Sequence, residues 1–113
     1  MKCYISGAIT GVKDFERQFE KAEDLLKKNP EKFGLTDDSE IVNPCQLGKL
    51  VEVLKIEPTW TDYMRFDIAE LMNCNSIAML PNYQQSEGAK LELYLAEKLN
   101  MKVIYLKDSD FFD

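Results

Sequence analysis

Apolar positions along this chain follow two alternating rhythms: short unbroken runs, and longer stretches in which they recur every three or four places. The unbroken runs are 2–6 (KCYIS), 40–43 (EIVN), 76–80 (SIAML) and 102–106 (KVIYL). They are short and lie beside Gly, Pro or Asn, and this predicts strands. The periodic stretches lie between them. Over 13–29, Phe15, Phe19, Ala22, Leu25 and Leu26 share one face of an amphipathic helix, which Asn29-Pro30 stops. Over 59–73, Met64, Ile68, Leu71 and Met72 form the core stripe, and Thr59 is a candidate N-cap. Over 86–99, Leu91, Leu95 and Leu99 line one side of the stripe and Ala89 and Ala96 the other, with Ser86 as candidate N-cap. Residues 45–58 are less regular. Leu47, Leu50, Val51 and Leu54 have helical spacing there, so a short helix or a folded lid is expected before Pro58.

Strands that alternate with helices, and that lack polar alternation, belong to a parallel sheet covered on both faces. The expected architecture is a single domain over 1–113. It is a three-layer α/β sandwich with a mainly parallel sheet of four to five strands, flavodoxin-like or Rossmann-like. Such sheets bind ligands outside the carboxyl ends of their strands. Here those ends are Gly7–Gly11, Asn43-Pro44 and Pro81–Gly88. The Gly7-Ala8-Ile9-Thr10-Gly11 loop is neither a dinucleotide fingerprint nor a phosphate-binding P-loop, although its amides could hold a phosphate or a sugar.

Composition narrows the chemistry. A net charge of −6 leaves no basic stripe for a nucleic-acid backbone or an anionic membrane. It does not argue against a small nucleotide. The start, MKCYISGAIT, is too short for a signal-peptide core or a membrane span, so a cytoplasmic protein is expected. Three Cys without C-x-x-C spacing read as reduced thiols. With no His in the chain, Ser-His and Cys-His catalysis and the commonest zinc sites are removed together. Carboxylates, Tyr, Lys, Arg and backbone remain.

Two carboxylates stand in unusual places. At about 100° per residue, Glu92 falls inside the apolar arc of its helix, while Lys90 and Glu97 face solvent. A carboxylate there is costly unless it is hydrogen-bonded or functional. It is either a site residue beside the small Gly88 and Ala89 or a structural Glu that pairs with a buried donor. Asp67 lies on the margin of its own stripe beside Trp60 and Tyr63. That aromatic wall suits a planar base, and equally suits ordinary helix packing. A carboxylate pair can cleave a glycosidic bond, one attacking the anomeric carbon and the other assisting the leaving group. Tyr4, in the first strand, reads as core or as a partner of such a site. Ser86 and Gly88 open a helix and make either a plain cap or an anion site. Arg65 reads as a surface residue or a phosphate contact.

These residues, in this order, resemble a known group. Tyr4-Ile5-Ser6-Gly7 followed by Thr10-Gly11, then Asn43-Pro44, Trp60-x-x-Tyr63-Met64-Arg65-x-Asp67, Leu80-Pro81 and Ser86-x-Gly88-Ala89-x-x-Glu92 resemble the nucleoside 2-deoxyribosyltransferase-like family. More narrowly, the chain is similar to an uncharacterised bacterial and phage branch, itself similar to 2′-deoxynucleoside 5′-monophosphate N-hydrolases. The resemblance implies that Glu92 is the nucleophile at C1′, that Asp67 assists the leaving base and that Tyr4 orients Glu92. It implies substrate contacts from Gly7, Ala8, Thr10, Gly11, Asn43, Trp60, Arg65, Ser86 and Gly88. It further implies a small-molecule nucleoside or nucleotide substrate, no metal or organic cofactor, and a homodimer or larger homo-oligomer to which Phe111 and Phe112 could contribute. The transferases complete their site with a carboxy-terminal Asn of a neighbouring subunit, for which DSDFFD has no clear equivalent, and this favours hydrolysis over transfer. A non-catalytic nucleotide-binding module of the same fold is the alternative.

Overall fold

The computed structural model of the chain describes residues 1–111. Phe112 therefore lies outside the described residues. The strands are β1 (Lys2–Ser6), β2 (Glu40–Val42), β3 (Ser76–Met79) and β4 (Lys102–Tyr105). The helices are α1 (Phe15–Lys28), α2 (Cys45–Leu54), α3 (Trp60–Leu71) and α4 (Glu87–Lys98). The four strands form one sheet in the order β2-β1-β3-β4, and every pairing is parallel. In the register of the central pair, Tyr4 stands opposite Ile77 and Ser6 opposite Met79.

This order explains the unbroken apolar runs. β1 and β3 are central and covered on both faces, so neither has a solvent side to be polar. Cys3, Ile5, Ile41, Ala78 and Ile104 face α1, packing with Phe19, Ala22 and Leu26. Tyr4, Ile77 and Met79 face the opposite layer and pack with Leu71 of α3 and with Ala89 and Ala96 of α4. β2 and β4 are the edges, and their exposed Glu40, Lys102 and Tyr105 mark them as such.

Helix ends follow local chemistry. Thr59 caps α3 in a capping box: its side chain accepts from the Asp62 N–H, and the Asp62 carboxylate accepts from the Thr59 N–H. Ser86 caps α4 by accepting from the Ala89 N–H at 3.0 Å. Helix α1 starts two residues later than the periodicity predicts, because Asp14 adopts a left-handed φ of 60° and turns the chain into the helix. Residues 45–54 form a full helix rather than a lid, and α2 packs on α3.

The largest departure from the sequence pattern concerns α4. Its buried face is Gly88, Ala89, Glu92 and Ala96, whereas Leu91 and Leu99 are exposed. Small residues let the helix lie close against β1 and β3, and leucines there would hold it away. Glu92 is thus at the centre of the buried face rather than within a leucine stripe. Met72, expected in the core of α3, is likewise exposed just past the helix end. No helix among the described residues is long and apolar enough to cross a membrane.

Candidate active site

The chain leaves β1 toward β2 on one side, then returns past β1 to β3 on the other. A crevice opens at such a reversal, at the carboxyl ends of the two central strands. Here it is a cleft of about 370 Å³. Its floor and walls come from Gly7, Ile9 and Thr10 after β1, Phe15 and Glu16 at the start of α1, Cys45, Lys49 and Glu52 of α2, Trp60, Tyr63, Met64 and Asp67 of α3, the cap residue Ser86, and Gly88 and Glu92 of α4.

Glu92 is the fixed point. It is 5% exposed, and each carboxylate oxygen accepts a short hydrogen bond from β1. The Tyr4 hydroxyl donates to Oε2 at 2.6 Å, and the Ser6 hydroxyl donates to Oε1 at 2.7 Å. Tyr4 and Ser6 are two residues apart on a strand and so point to the same face, toward α4. Burial pushes the Glu92 carboxyl up to about 7, against the two hydroxyl donors, which favour its ionised form. Asp67, half-buried across the cleft, is also pushed up to about 7, first by desolvation and then by the charge of Glu92. Among the described residues, no side chain donates a hydrogen bond to Asp67. The two carboxyls therefore differ in kind. Two hydroxyl donors favour the ionised form of Glu92, and among the described residues no donor side chain does the same for Asp67. Burial and the neighbouring carboxylate of Glu92 raise the Tyr4 phenol well above its ordinary value, so Tyr4 stays a donor.

The loop after β1 is fixed from below. A Cβ on Gly7 would come within 2.7 Å of the Leu80 Cβ, so this position accepts only hydrogen. The Ala8 N–H donates to Asn82 Oδ1 at 3.1 Å, and Asn82 Nδ2 donates to Gln18 Oε1 at 3.3 Å. Gly88 serves the facing wall: a Cβ there would sit 3.0 Å from Met64 Sδ.

Of the residues singled out from sequence, Gly7, Thr10, Trp60, Asp67, Ser86, Gly88 and Glu92 line this one cleft, with Tyr4 directly behind Glu92. Four others lie outside its lining. Ala8 is buried under the loop. Gly11 is exposed with a φ of 76°. Asn43 is spent on structure, donating to Glu23 and accepting from the Cys45 N–H at the start of α2. Arg65 is exposed on α3. Sequence reasoning missed Ser6 as a partner of Glu92, Asn82 as the brace of the loop, and the contribution of Glu16, Lys49 and Glu52. Ser6 had a usable signal, a polar residue two places from Tyr4 on a buried strand.

The fold and the cleft define a small parallel α/β domain with a buried, doubly hydrogen-bonded Glu at the switch point and a second carboxyl across from it. The chain belongs to the family described as Domain of unknown function (DUF4406), which it matches over residues 1–105. No curated protein and no solved structure matches it.

Proposed function

We propose that the protein cleaves or transfers at the N-glycosidic bond of a (deoxy)nucleoside or nucleoside monophosphate. One observation carries this reading: Glu92 is buried at the cleft, oriented by Tyr4 and Ser6, with Asp67 on the opposite wall. The resemblance to nucleoside 2-deoxyribosyltransferases, on the motifs that contain these residues, supports it. A Glu92 oxygen attacks C1′ of the sugar, and the C1′–N bond breaks with its electron pair leaving on the base. Asp67 gives its proton to the departing nitrogen. Water then attacks C1′, Asp67 takes a proton from it, and the ester electrons return to Glu92. Tyr4 and Ser6 hold the carboxylate in line, and Trp60 and Tyr63 offer flat faces to the base. The reactive form has Glu92 ionised and Asp67 protonated. With both carboxyls near 7, this reading expects a bell-shaped rate profile centred near neutral pH.

The test is chromatographic. Deoxynucleosides, ribonucleosides and their monophosphates are incubated with the protein, and free base is measured. Release that Glu92→Ala abolishes is expected. Tight binding without release, in wild type and variant alike, would identify a binding module instead.

We further infer a homo-oligomer. Leu91 and Tyr94 of α4, Leu99 just past its end and Met72 beyond α3 are exposed apolar or aromatic side chains on the α3–α4 layer. Light scattering at micromolar concentration is expected to give a dimer or larger mass, and a monomer would contradict this.

A further inference from the structure

The charge around the cleft is lopsided. Four carboxylates line it, Glu16, Glu52, Asp67 and Glu92, and among the described residues Lys49 is the only cation that does. Beyond Lys49, the polar lining could offer a phosphate dianion backbone N–H groups and the Thr10 and Ser86 hydroxyls, but no second positive charge to offset the carboxylates. Arg65 is exposed and outside the lining, and the loop Gly7–Gly11 carries no basic side chain. At the start of α4, the Ala89 N–H is taken by Ser86, and Glu87 places another carboxylate in the first turn, paired with Lys90. The excess acid does not form a metal site: no three His, Cys, Asp or Glu side chains converge as ligands among the described residues. What the acids share the cleft with is aromatic. Phe15, Trp60 and Tyr63 line it too, and Trp60 is 54% exposed. Carboxylates around an open indole are the surroundings that recognise a delocalised organic cation.

We propose that this cleft selects by charge: it takes a nucleoside without a 5′-phosphate, and best one whose heterocycle is positively charged at the glycosidic nitrogen. The inference rests on the glycosidase reading for its chemistry, although the binding order stands apart from turnover. With a pyridinium-type base, the balance is simple. Glu92 forms its bond to C1′, the C1′–N bond breaks, and the bonding pair neutralises the ring nitrogen, so no proton is required for departure. For such a substrate Asp67 is ionised from the start, since no proton goes to the base; water attacks C1′, Asp67 takes its proton, and the ester electrons return to Glu92. Glu16 and Glu52 act at a distance, on the charge of the bound ring. Neither touches the reacting atoms.

The probes are nicotinamide riboside, its 5′-monophosphate and inosine, each in ribo and 2′-deoxy form. Calorimetry measures binding, and chromatography measures released base. The expected order is riboside cation, then inosine, then the monophosphate, with about tenfold between the first and last. In the double variant Glu16→Gln, Glu52→Gln that ratio should fall toward one, while inosine binding changes little. A purely structural role for these two residues would weaken all three ligands alike and would overturn the inference. So would a monophosphate that binds as well as the riboside, even if base is released and the glycosidase reading survives. Failure of all probes to bind overturns it too. The expected binding order with no base released from any probe would sustain the charge selection and sink the glycosidase reading alone.

Discussion

At the residue scale, the argument turns on what a buried carboxylate requires. Glu92 was legible because helical spacing placed it among apolar positions, where an acid needs donors or a task. Its donors were not legible. Tyr4 and Ser6 are 88 and 86 positions away in sequence, and only the parallel pairing of β1 with β3 brings them under α4. Asp67 was legible as a marginal position, but its elevated affinity for a proton depends on Glu92 and on burial that the sequence does not display. That elevation makes two linked predictions. The folded protein holds a proton on Asp67 up to about pH 7, whereas an unfolded chain releases it near the ordinary value of 3.8. Ionisation in the fold is therefore a cost that is absent below pH 4 and grows to its full size above pH 7. Asp67→Asn should leave stability unchanged near pH 4 and raise it at pH 8 by on the order of 1 kcal/mol, after solvent screening is allowed for. Thermal melts at the two pH values check this, and a variant less stable at pH 8 would contradict it. The same variant should lower turnover of a neutral nucleoside by about 10²–10⁴-fold.

At the scale of elements, periodicity found α1, α3, α4 and the four strands of the described residues, and left 45–58 open between a helix and a lid, because runs such as SIAML and the 3.6-residue stripes are set by local burial. It erred where packing distance decides. In α4 the leucines have the stronger hydrophobicity, yet Gly88, Ala89 and Ala96 occupy the buried face since the helix must lie close to the sheet and to α3. The stretch 45–58 gave an ambiguous pattern because α2 buries little more than Val51, leaving Leu50, Val53 and Leu54 exposed. The loop after β1 is similarly set by contact rather than by propensity. Gly7→Ala forces Leu80 or the strand end to move, and should destabilise the fold by about 1–3 kcal/mol. Chemical denaturation measures it. An unchanged midpoint would show that the close approach of these two strand ends is not required.

At the scale of the whole molecule, the strand order places the carboxyl ends of β1 and β3 side by side, and everything proposed about chemistry depends on that junction. Residues from four helices and three loops meet there, although they are spread from Gly7 to Glu92 along the chain. Fold class was readable from the alternation of rhythms. The composition of the cleft was not, since Glu16, Lys49 and Glu52 look like ordinary solvated helix positions until α1 and α2 are set around the opening. The central claim is that Glu92 becomes covalently attached to the sugar. The most direct measurement is mass spectrometry of the protein acid-quenched during turnover of a 2-fluoro-substituted deoxynucleoside, which slows the second step. An added mass equal to the fluorosugar, mapped to the peptide that contains Glu92 and absent in Glu92→Ala, is the expected result. Base release with no adduct at any time point, or an adduct on another residue, would contradict the account.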